Sequence, residues 1–138
     1  MPTVIAHDLG QAQAAARAAV AEGAGLTVAS PPFAARSMGI AGWLAIVEAT
    51  RAALPSADLT FALDCADHPG DAHTAIAFGA DRVLLSTGIP AYDAVRRLAD
   101  DRGADLAEPA DADLDLAFHH DPEAATRRLL QTTNSQGG

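Results

Sequence analysis

The stretch from Leu59 to Thr87, LTFALDCADHPGDAHTAIAFGADRVLLST, constrains the fold of this chain more than any other. An apolar run ends at Asp64, a Pro69-Gly70 turn follows, and an alanine-rich segment leads through Gly79 to a second apolar run closed by Ser86 and Thr87. Short apolar runs bounded by turn residues read as strands, and the alanine-rich piece between them reads as a helix. Strand, helix, strand at this length is a βαβ unit, whose two strands lie parallel with a right-handed crossover.

The same rhythm runs through most of the chain. Thr3 to Ala6 predicts a first strand, and Asp8 followed by Gln11 resembles a capping box that starts a helix over Leu9 to Glu22, stopped by Gly23. Leu26 to Ala29 predicts a second strand, closed by Ser30 and two prolines. Phe33 to Gly42 reads as a loop, after which Trp43, Leu44, Val47 and Leu54 fall at helical spacing up to Pro55. Leu59 to Leu63, Asp71 to Phe78 and Arg82 to Leu85 give the third strand, third helix and fourth strand, and Tyr92, Val95 and Leu98 mark a helix ending at Gly103. Ala104 to Ala107 is a short fifth strand candidate, and Asp111 to Phe118 alternates acidic with apolar residues as an edge strand or extended arm does. Asp121 and Pro122 start a last helix with Arg127 and Arg128 in its last turn, and 132–138 is polar enough to predict a disordered tail.

Alternation of this kind defines an α/β chain, with a parallel sheet of four or five βα units. The expected organisation is one domain over 1–131, built as a half-barrel-like open sheet, with a flavodoxin-like three-layer sandwich as the alternative. A half-barrel leaves sheet edges and an apolar face uncovered, so a homo-oligomer is expected with it. An internal repeat supports the sequential arrangement. Shifting the first unit by 56 positions sets Ala6 on Ala62, Asp8 on Asp64, Gly23 on Gly79, Ala24 on Ala80 and Ser30 on Ser86.

Composition narrows the chemistry. All 9 basic residues are arginine against 18 acidic ones, a net charge of −9. No lysine means no Schiff base and no P-loop lysine, and the acidic balance argues against nucleic acid and anionic membrane surfaces as partners. Aromatic residues are only 4%, so the core must be thin layers of Ala, Val, Leu and Ile. A single cysteine, Cys65, cannot pair internally, and neither a leader-like N-terminus nor an apolar run of membrane-spanning length is present, which leads to a cytoplasmic expectation.

Glu22-Gly23-Ala24-Gly25-Leu26-Thr27-Val28-Ala29-Ser30-Pro31 resembles the helix-to-strand junctions of phosphate-binding (βα)8 barrels, such as the keto-deoxy-phosphogluconate aldolase class. Gly79-Ala80-Asp81-Arg82-Val83-Leu84-Leu85-Ser86 resembles the same junction again. The resemblance implies functional groups at the carboxyl ends of strands, where Asp8, Ser30, Asp64 and Ser86 fall, but the catalytic lysine of that class has no counterpart. The Gly79-Ala80-Asp81 strand with Pro90 and the following helix is also similar to the end of a response-regulator receiver, with Ser86 where the receiver lysine stands. Both resemblances rest on short junctions covering about half the chain.

Three functional classes follow. In the first, a binder or lyase- or isomerase-type enzyme handles a small phosphorylated or carboxylated metabolite, with Asp8, Asp64 and His68 as acid/base groups and Ser30, Arg36, Ser86 and Thr87 as anion donors. The second is a non-catalytic receiver-like regulatory module, and the third a structural homo-oligomer. No cofactor is implied. Asp64, Cys65, Asp67, His68, Asp71 and His73 are dense enough to be weighed as Zn, Mn or Fe ligands, yet they match no established spacing, and no metal is assigned. Cys65 beside Asp64 and His68 is either a nucleophile or a buried core thiol. Asp111, Asp113 and Asp115 open like a calcium loop, but the required glycine falls on Leu116. His119 and His120 read as a solvated turn, and Trp43 as an anchor of the core or of an interface.

Overall fold

A computed structural model of the chain describes residues 1–137, with side chains to Asn134. Among the described residues six strands and five α-helices follow one another, alternating as far as β5: β1 Thr3–Ile5, α1 Leu9–Glu22, β2 Leu26–Ala29, α2 Ile40–Ala53, β3 Leu59–Asp64, α3 Pro69–Ala77, β4 Arg82–Leu84, α4 Tyr92–Arg102, β5 Asp105–Ala107, β6 Leu114–Asp115 and α5 Pro122–Gly137. The strands make one open, all-parallel sheet in the order β5-β4-β3-β2-β1-β6. The expectation of four or five strands is corrected to six. The extra strand is the second half of the acidic–apolar stretch, where Leu114 and Asp115 pair in parallel with Val4 and Ile5 before a 3-10 turn takes Leu116–Phe118.

Two further expectations change. The loop predicted over Phe33 to Gly42 is a π-helical turn at Ala35–Gly39 that runs straight into α2. The last helix continues through most of the stretch expected to be a tail, as far as Gly137, which leaves Arg127 and Arg128 in mid-helix; Gly138 lies outside the described residues.

The chain gathers into two compact units. The first comprises Met1–Ala29, Ala45–Thr60 and the residues from Ala112 onward. Here β1 is flanked by β2 and β6, and α1 packs on α5. Ala12, Ala15, Ala16 and Ala19 of α1 are buried, and their small side chains let the helix lie close to Val4, Leu26 and Val28, which are fully enclosed. Arg17 to Glu123 at 2.6 Å and Arg127 to Glu22 at 3.5 Å tie the rims of the two helices.

The second unit comprises Ser30–Leu44 and Phe61–Asp111. Its ladder runs β3-β4-β5, with Leu63 beside Val83 and Val83 beside Leu106. The scarce aromatics are concentrated here: Trp43 and Phe61 are buried and meet edge to face at 6.2 Å and 72°. Ala72, Ala75 and Ile76 of α3 and Val95 and Ala99 of α4 complete the core.

The repeat is visible in how two helices end. In α1 the amide of Gly23 donates to Val20 and that of Ala24 to Ala19; beyond α3, Gly79 donates to Ile76 and Ala80 to Ala75. Those pairs are the same positions shifted by 56. Gly23 and Gly79 sit at φ 58° and 94°, the left-handed region that closes a Schellman-type turn and that glycine enters without a Cβ clash.

Candidate functional site

The candidate site lies within the second unit, at the carboxyl ends of its strands. Asp64, the last residue of β3, is 8% exposed. Its Oδ1 accepts from the amide of Ala66 at 2.9 Å and from that of Phe33 at 3.2 Å, and its own amide donates to Ser30 Oγ at 2.9 Å. Both residues that donate to Oδ1 have positive φ, 62° at Phe33 and 51° at Ala66, and among the described residues they are the non-glycine ones with positive φ. A left-handed residue bearing a Cβ costs of order 1 kcal/mol or more and persists only where its surroundings hold it. Here one carboxylate oxygen fixes both amides, while the Ser86 amide donates to the Ala66 carbonyl at 2.9 Å and those of Arg36 and Ser37 to the Phe33 carbonyl at 3.0 Å.

These two strained residues border a cavity of about 480 Å³. Pro32 and Phe33 supply one wall, Asp64 comes from the end of β3, and Ala66 and Asp67 from the turn after it. Ser86 stands past the end of β4, and Pro109, Ala110 and Asp111 follow β5. The volume is in the range of small-molecule sites. Its charge is one-sided: the lining holds three aspartates and no arginine or histidine.

Arg36, expected to grip an anion, is paired with Asp71 through its Nε at 2.6 Å. Ser30 Oγ accepts the Asp64 amide and donates to the Pro31 carbonyl at 3.1 Å. Thr87 Oγ1 donates to Glu108 at 2.6 Å. Of the four expected anion donors, Ser86 is the one that lines the cavity.

Among the expected acid/base residues, Asp64 lines the cavity and Asp8 does not. Asp8 belongs to the first unit, where it caps α1 by accepting the Gln11 amide at 2.8 Å, while the Gln11 side chain accepts from the His7 amide at 2.8 Å. The capping box is real, with its return bond displaced by one residue. His68 precedes α3 without a side-chain capping bond and stands 3.7 Å from Asp67. Cys65 is 1% exposed, and burial first, then Asp71 and Asp64, pushes its thiol up to about 12, so at neutral pH it is no nucleophile. No three His, Cys, Asp or Glu side chains among the described residues come together as metal ligands.

Residues not expected at the site are Pro32, Phe33, Ala66, Pro109 and Ala110, and Asp111 enters the sequence reading only as part of a calcium loop. The Pro31-Pro32 pair marks the close of β2, but no local signal places a left-handed conformation on Phe or Ala, since Asp64 reaches from 31 positions away in one case and two in the other. In the first unit His7 Nε2 lies 2.7 Å from Asp115 Oδ1, a pair made by β6 and therefore equally hidden in the sequence. Among the described residues no helix is long and apolar enough to cross a membrane. No protein-family model matches the chain, and no curated protein matches it.

Proposed function

We propose that the second unit binds a small ligand at the carboxyl ends of β3, β4 and β5, and that it does so as a binding module without chemistry of its own. The observation that carries this reading is Asp64: a nearly buried carboxylate that borders a 480 Å³ cavity while holding two residues of its wall in strained conformations. Strain retained around a cavity is a mark of pre-organisation, since a wall kept in one shape costs a ligand less to order. Binding is favoured over catalysis because the cavity offers neither histidine nor cysteine, and Asp64 has one of its oxygens committed to two amides. The sequential order of β1 to β5 supports a half-barrel-like arrangement over a flavodoxin-like one, where the first strand lies inside the second.

The test is a two-dimensional amide NMR titration with separate mixtures of amines, amino acids, neutral sugars, carboxylates and phosphates. The expected result is that one class shifts the amides of Ala66, Asp67, Ser86 and Ala110 together and saturably. If every class leaves all four unmoved while the spectrum remains that of a folded protein, the reading is wrong.

A further inference from the structure

We propose that the ligand is a compact organic cation, a primary ammonium or guanidinium on a short aliphatic stem, held by Asp64 Oδ2 at its charged head and by the Phe33 ring along its side. This deepens the reading of the cavity as a ligand site and rests on it. Three independent features of the lining lead to it.

The first is an acceptor left over on Asp64, a residue 8% exposed. Both amides that reach Asp64 go to Oδ1, and no described residue donates to Oδ2. Oδ2 is not among the buried atoms left without a partner, so it keeps contact with solvent, and a charged N–H donor entering the cavity that Asp64 lines meets it best.

The second is the sign and spread of the charge. Asp67 and Asp111 add to Asp64, the lining holds no arginine, and Arg36 of the same unit is spent on Asp71. A concave acidic wall focuses a negative potential that draws cations and turns away phosphate or carboxylate. The carboxylates do not meet as a set of three around one point. Their charge is therefore distributed around a cavity far larger than a metal ion, which suits an extended cation with several N–H groups.

The third is the aromatic ring. Phe33 is 59% exposed, strained at φ 62°, and part of the lining. An exposed ring beside carboxylates is the pairing that recognises organic ammonium and guanidinium groups, the ring face meeting the cation and its attached CH₂ groups. Pro32, Pro109 and Ala110 provide apolar surface for the stem. Ser86 adds one neutral hydroxyl to accept a further N–H.

The experiment is isothermal titration of the full chain with 1,4-diaminobutane and butylguanidine, against butyrate, inorganic phosphate and magnesium chloride, all at one ionic strength set with sodium chloride. Amine or guanidine binding at one site is expected, with the anions and magnesium silent. Asp64→Asn retains an Oδ1 for the Ala66 and Phe33 amides and removes the charge, so it should weaken binding by about 10- to 100-fold while the fold persists. Phe33→Gly relieves the positive φ and removes the ring; it should leave thermal stability equal or higher and weaken binding by about 3- to 30-fold, a combination that a purely structural Phe33 does not give. If Asp64→Asn fails to fold, Phe33→Gly decides alone. Cation binding unchanged in both variants, or matched by sodium, overturns the inference. Binding of butyrate, phosphate or magnesium in place of the amines overturns it too but leaves the ligand site standing, whereas silence from every probe in this titration together with unmoved cavity amides in the NMR titration removes both.

Discussion

Ala66 concentrates the physics of the site in one residue. Its φ of 51° is carried by a methyl group that a glycine would not have, and its amide is fixed by Asp64. Ala66→Gly should therefore raise stability by about 1 kcal/mol, read as a shift of the urea midpoint at unchanged slope; a loss of stability would show that the conformation is not strained. Cys65, its neighbour, acts through pH. The unfolded thiol ionises near 9.0 and the buried one near 12, so between those values the unfolded chain holds fewer protons and stability falls as pH rises. The slope should reach about 1.4 kcal/mol per pH unit above pH 9 and vanish in Cys65→Ala, whatever that variant's overall stability. Iodoacetamide should leave the native thiol unmodified at pH 7.5 and label it in urea. Thr50 is the opposite case, a hydroxyl buried at 0% exposure with no hydrogen-bond partner among the described residues. Thr50→Val keeps the shape and removes the unpaired group; calorimetry should show equal or higher stability, by up to about 1 kcal/mol.

Elements were legible where their signals are local. Alanine spacing with Asp8 before and Gly23 after gave α1 its full extent, and a four-residue apolar run between Gly25 and Ser30 gave β2. Asp8→Ala should accordingly cost about 1 kcal/mol, measured by chemical denaturation, with the helix otherwise intact; no loss would mean that Gln11 alone secures the end. The partner of an element was less legible than the element itself. Leu114 and Asp115 lie in the acidic–apolar alternation that reads as an edge strand or extended arm, but nothing in ADLDLAF announces Val4 and Ile5 as its ladder. The π-helical turn at Ala35–Gly39 has no sequence period of its own to betray it. The candidate site divides in the same way. Asp64 and Ser86 stood out as polar residues closing apolar runs, whereas Phe33 and Asp111 enter through loop conformations that the strands around them dictate. Arg36 was legible as a cation but not as one already neutralised, since Asp71 is 35 positions away.

For the whole molecule, charge and chain order matter most. With 18 acidic residues against 9 arginines, the folded state carries self-repulsion that salt screens within roughly 10 Å at 0.1 M. The melting temperature should rise by a few degrees between 10 and 200 mM sodium chloride at pH 7.5, and a fall would mean that ion pairs such as Arg17 to Glu123 outweigh the excess of negative charge. The two compact units also differ in when they can be completed. Every residue of the second has been made once the ribosome passes Asp111, while the first still lacks β6 and α5, the strand and helix that flank β1 and cover α1. The residues of the first unit made earlier therefore wait, with the apolar face of α1 uncovered, until α5 has been made. Truncation before Pro122 should expose the buried alanines of α1, read as increased binding of an apolar dye relative to the full chain.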